Sequence, residues 1–204
     1  MSAAMNKAAI FIDGQNTYYA LKKMGIRHLS LFDYKGLLGL ILAGGEAFYT
    51  GYYVGQVGRD RSSPKSEKMY EDQQKFMSFL RTNIPQIRIV KGKIMQVNKP
   101  NLKCSHPECP MKDKPVYYEK GVDVRLAIDM VHQAIKDEFD QAYLLSSDSD
   151  LLPAVKLVQE YKKIVHYIGF GEQRSIALMK GCNSTRIITK EECERFGHAS
   201  GPFL

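Results

Sequence analysis

The chain contains no tryptophan, only five histidines, and four cysteines in 204 residues. Cys104, Cys109, Cys182 and Cys193 are too few for a disulfide scaffold at this length. No apolar run approaches the ~20 residues needed to cross a bilayer. The opening MSAAMNKAAIFIDG has a short apolar part that leads into charge, which argues against a secretory signal. The expectation is a cytoplasmic protein with no membrane association. Acid is the minority charge: 22 Asp and Glu against 29 Lys and Arg leave a net +7, which favours a polyanionic partner, nucleic acid ahead of membrane. Proline is sparse as well, and four of the eight fall within residues 98–118. That stretch lacks apolar periodicity and reads as an insertion or active-site flap. The rest reads as one domain over residues 1–196 with a loose tail at 197–204, free of repeats and low-complexity tracts.

Strand and helix signals alternate. Residues 8–12, AAIFI, form a short apolar run with turn residues behind it, the pattern of a buried strand. A helix follows to Gly25, and a second runs from Asp33 to the Gly44–Gly45 stop. Residues 47–55 read as an aromatic, β-branched strand, 59–68 as a polar loop, and 69–82 as a helix. Residues 86–97 alternate as a strand, with Gly92 a candidate hairpin turn. In the helix from Gly121, Val122, Leu126, Met130 and Ala134 share one face, joined by Ala127, Val131 and Ile135. Strand, helix, strand, short helix, strand and a last helical turn complete the chain. This order implies an α/β fold, three α/β/α layers around a mostly parallel sheet. Sites in such sheets form at the carboxyl ends of the strands, near the switch in strand order.

Four aspartates fit that rule. Asp13 follows the first strand in FIDGQN, Asp148 and Asp150 follow another in YLLSSDSD, and Asp123 begins a helix in EKGVDV. Carboxylates converging on one point repel one another unless a divalent cation sits between them. Each has a simpler reading: Asp13 and one of Asp148 and Asp150 as helix N-caps, and Asp123 as a favourable charge at a helix start. Asn16 is placed either to cap the first helix or to hydrogen-bond a water, a ligand carboxylate or a phosphate oxygen.

FIDGQN, EKGVDV and SSDSDL, in that order, resemble the NYN domains of the PIN-like nuclease superfamily, and more narrowly the LabA-like (DUF88) group, over residues 7–190. The resemblance implies a PIN-like fold and a ribonuclease site cutting single strands with Mg²⁺ or Mn²⁺. It places Asp13, Asp123, Asp148 and Asp150 on the acidic positions and Asn16 on the polar position after the first strand. The expected reaction is in-line attack on a phosphodiester, with one or two metal ions activating a water and stabilising the leaving oxygen. Oxygen ligands suit these hard ions. With no histidine placed as a base, metal-bound hydroxide or Asp150 has to serve. The partner is single-stranded RNA, with DNA as an option, and a homodimer is open. The alternative from another class is a non-catalytic RNA-binding or regulatory protein that keeps the acidic pocket.

Substrate contacts are sought among Arg88, Lys91, Lys93, Lys99 and Lys103, and among Arg59, Arg61, Lys65 and Lys68. Lys120 is a further phosphate contact in a flap, beside Glu119. Solvated faces are the alternative for these clusters. Tyr18, Tyr19, Tyr52 and Tyr53 are placed either to stack bases or to pack in the core. Cys104, His106 and Cys109 stand close in sequence, but Zn²⁺ needs a fourth ligand, and free thiols are the preferred reading. Asp129 reads as a solvated or supporting acid, since six residues along a helix turn it about 120° from Asp123. A haloacid-dehalogenase-like phosphatase is disfavoured by Gln15, which stands where its second aspartate belongs. A TOPRIM-type fold leaves Asp123 without a role, and a nucleotide-sugar transferase does not explain FIDGQN.

Overall fold

The computed structural model describes residues 7–26, 29–59, 61, 63–97 and 116–197. Seven strands form one sheet in the order β4-β3-β2-β1-β5-β6-β7. The central strands β1 (Ala8–Asp13), β2 (Ala47–Gln56) and β5 (Gln141–Leu145) are parallel, as are β3 (Ile87–Val97), β6 (Ile164–Phe170) and β7 (Ser184–Ile188). Only β4 (Val116–Lys120) runs antiparallel, at the β3 edge.

β1 is central in the sheet, with helices packed on both of its faces, so its residues can be apolar throughout, which is why AAIFI does not alternate. Ile10 and Ile12 join one core, with α1 (Gly14–Lys23), α2 (Tyr34–Ile41) and the end of α3 (Pro64–Asn83). Ala9 and Phe11 join the other, with α4 (Val122–Ile135) and α5 (Leu152–Glu160). The Phe11 ring lies 5.5 Å from Tyr49, 6.4 Å from Tyr53 and 5.9 Å from Phe139, centroid to centroid. The short helices α6 (Ile176–Gly181) and α7 (Lys190–Glu194) follow β6 and β7.

Four local expectations are corrected. Gly92 makes no hairpin: it lies mid-strand opposite Gly55, and β3 continues to Val97. It is glycine because a β-carbon there would stand 2.9 Å from the Lys120 carbonyl and collide with Val122. The 59–68 loop ends early, since Ser63 caps α3 with Pro64 in its first turn, a position that suits proline. The stretch at 98–118 gives way to strand at Val116, so Glu119 and Lys120 belong to β4 rather than to a flap. Ile135 does not join the buried face of α4, of which Val122, Leu126, Met130 and Ala134 are part.

Among the described residues, no helix is long and apolar enough to cross a membrane. The segment with Cys104, His106, Cys109, Lys99 and Lys103, and the tail beyond Gly197, lie outside the described residues.

Candidate active site

The chain runs from β1 outward to β4 and then returns to β5 on the other side of β1, so the strand order reverses between β1 and β5. Ile12 pairs with Leu145, which sets Asp13 level with Ser146 at the carboxyl edge. Asp13 ends β1 and also caps α1, so its cap role and its place at the site coexist. Its Oδ1 accepts from the Asn16 N–H at 3.0 Å, and its Oδ2 accepts from the Ser146 hydroxyl at 2.8 Å and from the Asn16 side-chain amide. Asn16 in turn accepts from the Ser147 hydroxyl. Asn16 therefore links the Asp13 carboxylate to Ser147. A carboxylate has about four acceptor positions, and three of those on Asp13 are filled.

Asp148 caps the single 3₁₀ turn Ser149–Leu151: its Oδ1 accepts from the Asp150 N–H at 2.9 Å. The Asp148 N–H donates to Ser146 Oγ at 3.1 Å, so one serine hydroxyl joins Asp13 and Asp148. Asp150 is exposed in the same turn. Asp123 sits in the first turn of α4, whose entry needs Gly121 at φ +80°, a conformation that favours glycine.

The carboxylates sense one another. Burial raises the Asp13 pKa above its usual value, and Asp148 adds to the rise. Burial also raises Asp123, with Asp13, Asp148 and Asp150 adding to it. A fifth acid, expected in a flap, belongs to this group. Burial pushes Glu119 up to about 7, with Asp13 and Asp123 adding and the Gly55 amide opposing. Glu119 Oε1 is buried without a hydrogen-bond partner, and a β-carbon at Gly55 would come within 2.7 Å of it. Only the β3–β4 pairing brings Glu119 here, opposite Ile94, so no sequence spacing revealed it. The acids share one field without closing on one point: among the described residues, no three His, Cys, Asp or Glu side chains are grouped to hold a metal ion.

Glu119 gives the fold a pH dependence. Its folded pKa of about 7 lies above its usual 4.5, so the folded chain binds the extra proton between these values. Stability therefore falls as pH rises through that window. Because Glu119 is only half-buried, solvent screening reduces the cost to about 1–2 kcal/mol. Glu119→Gln is expected to be more stable than the parent at pH 8 by that amount and equal to it at pH 4. Urea melts of both proteins at the two pH values check this, and parallel profiles contradict it.

Asp129 stands apart from the cluster, accepting from the Tyr53 hydroxyl at 3.2 Å. Tyr52 and Tyr53 are buried core residues on the two faces of β2, which removes them as base-stacking platforms, whereas Tyr18 and Tyr19 are exposed. Arg59 donates to Glu67 at 2.7 Å and lies over the Tyr70 ring, so its guanidinium is engaged within its own neighbourhood. Arg61 is exposed in the turn before α3. Lys91, Lys93 and Met95 share one face of β3. Lys93 lies directly across from Lys120, and Met95 across from Tyr118. Two like charges opposed on neighbouring strands weaken the pairing.

The NYN domain profile matches residues 7–189. The chain is 22% identical over 184 residues to the 6-hydroxy-3-succinoylpyridine 3-monooxygenase HspA of Pseudomonas putida strain S16, covering 78% of this chain and 57% of that protein. The chain thus spans little more than half the length of that curated relative. A solved structure of a protein of unknown function from Vibrio parahaemolyticus RIMD 2210633 superposes with a TM-score of 0.62 at 21% identity, over 92% of this chain and 96% of that one. That likeness shows a shared fold. With the profile match spanning nearly all of its length, the chain belongs to the NYN domain family, a nuclease-type family of nucleic-acid-binding domains.

Proposed function

We propose that the chain is a LabA-like, metal-dependent ribonuclease that hydrolyses phosphodiester bonds of single-stranded RNA at the carboxyl edge of β1 and β5. The observation that carries this reading is the cluster of mutually repelling acids at the switch point. Asp13, Asp123 and Glu119 all have raised pKa values to which neighbouring carboxylates contribute. Such an arrangement costs stability without a countercharge, so a bound cation is its natural complement.

The donor set fits Mg²⁺ or Mn²⁺ in kind. It is all oxygen, Asp13 keeps one acceptor position open, and among the described residues neither Asp148 Oδ2 nor Glu119 Oε1 takes a hydrogen bond. Asp13, Asp123 and Asp148 would hold the ion, with Glu119 or Asp150 beside them. The metal, when bound, supplies Lewis-acid polarisation and a nucleophilic water near neutral pH. The chain's own part is positioning. Ser146 ties Asp13 to Asp148, and Asn16 keeps Asp13 oriented.

The Lys93–Lys120 pair, on the ribbon that also carries Glu119, supports a phosphate-backbone contact. Glu119 and Lys120 are neighbours in β4 and face opposite sides of it. A strand crossing the ribbon edge would leave one phosphate on the lysines and bring another to the acids.

The test is cleavage of labelled single-stranded RNA and DNA with Mn²⁺ or Mg²⁺, with and without EDTA. Metal-dependent cutting of RNA in preference to DNA is the expected result. RNA binding with no cutting under any metal condition would replace this reading with a non-catalytic RNA-binding protein.

A further inference from the structure

Helix α4 is apolar on two opposite sides. Val122, Leu126, Met130 and Ala134 are buried in the core beneath it. On the outer side Val124 is 63% exposed, Ile128 56% and Ile135 51%, with Val131 partly buried between them. At 3.6 residues per turn these four outer positions fall within about 60° of arc. Helix α5 packs beside α4 and adds exposed Leu157, with exposed Tyr161 at its end. Leu152 and Gln159, on the other flank of α5, meet Gly181, so Leu157 and Tyr161 lie on the flank next to α4.

Single exposed apolar side chains are ordinary, but a contiguous patch marks an interaction surface. These six residues expose roughly 500 Å² together, near the top of the range for a monomer. With a polar rim that includes exposed Arg125, His132 and Lys136, the face approaches the ~800 Å² that each partner of a stable dimer covers. The four α4 positions are spaced by four, three and four residues, the seam of a coiled coil. That order reads the same in both directions. Laid antiparallel on a second α4, each seam position meets its counterpart, every layer joins one valine to one isoleucine, and no charged side chain falls between them. A face matched to itself in this way is what a two-fold interface requires, and it specifies a second copy over an unrelated chain.

We propose that the chain forms a two-fold homodimer through the outer face of α4 and the adjoining flank of α5. Val124 packs on Ile135 of the partner subunit and Ile128 on Val131 of the partner subunit, each pairing occurring twice about the axis. Leu157 and Tyr161 widen the apolar strip on either side of the helix pair. The dimer stands independently of the reaction proposed above.

The test is sedimentation velocity of the full chain from about 1 to 100 μM, the range in which an interface of this size assembles. A shift from one chain to two that stops at the dimer is expected. Ile128→Lys enters the seam twice, once from each copy, and should weaken dimerisation at least about tenfold by placing charge in an apolar contact. Ile128 is exposed in the single chain, so circular dichroism and the melting temperature at low concentration should match the parent. Met69→Lys changes a similarly exposed residue on α3, in the other layer, and should leave the dimer intact. A chain still monomeric at about 100 μM would leave the face to a different partner and overturn the proposal. Assembly beyond two chains, an undiminished dimer in Ile128→Lys, or its loss in Met69→Lys would overturn it as well.

Discussion

Asp13→Asn and Asp148→Asn are each expected to lower metal-dependent cleavage by about 10²–10³-fold, the scale seen when one electrostatic stabiliser is removed from an active site. Asparagine suits this test because it preserves both cap bonds. It caps helices as well as aspartate does, so the Asn16 N–H and the Asp150 N–H keep their acceptors. What disappears is one negative charge that the proposed metal site requires. Asp13 is buried and its carboxyl is already pushed up by burial and by Asp148, so losing the charge relieves repulsion. The amide that replaces Oδ2 cannot accept from Asn16, which offsets the relieved repulsion, so the melting temperature of Asp13→Asn should stay near the parent's while turnover collapses. Paired measurements of initial rate and melting temperature check this. Rates within threefold of the parent in both variants would remove the acids from the chemistry.

Phe11→Ala is expected to have the largest effect on stability, about 3–5 kcal/mol. Phe11 is fully buried in the central strand, and its ring packs near Tyr49 and Tyr53 of the neighbouring β2 and Phe139 of the α4–β5 turn. No neighbour can collapse into the space without moving β2 or α4. For a chain of this length the loss corresponds to a melting temperature lower by roughly 10 °C. Asp13 lies two residues further along the same strand, on the same face, so the remaining folded protein should also cleave poorly. Chemical denaturation gives the stability directly. A loss under 1 kcal/mol would mean that the β1–α4 layer is not the close-packed core described.

Much of the fold was legible because the central strands have to be apolar on both faces. AAIFI, QAYLL and IVHYIGF carry that signal without help from tertiary context. The aspartates were legible for a related reason: each follows an apolar run or begins an amphipathic helix, so strand ends and helix starts fixed their places. Features formed by long-range pairing were not legible. The five residues of β4 follow a proline-rich stretch and become a strand only against β3, and Glu119 reaches the acids by that route alone. Gly92 carries an ordinary turn signal, yet it is needed mid-strand because Val122 and the Lys120 carbonyl occupy the space beside it. Arg59 reads as a free cation until α3 brings Glu67 and Tyr70 to it. Tyr52 and Tyr53 look like a stacking pair, but adjacent strand residues point to opposite faces, and both faces of β2 are covered.

In the proposed mechanism the acids at the carboxyl edge of the sheet complete themselves around a divalent cation. Anomalous diffraction from crystals soaked in Mn²⁺ tests it most directly. One or two peaks are expected, bounded by Asp13 and Asp148 together with Asp123 or Glu119, and absent in Asp13→Asn. No peak at a Mn²⁺ concentration that supports cleavage, or a peak only elsewhere on the molecule, would contradict it.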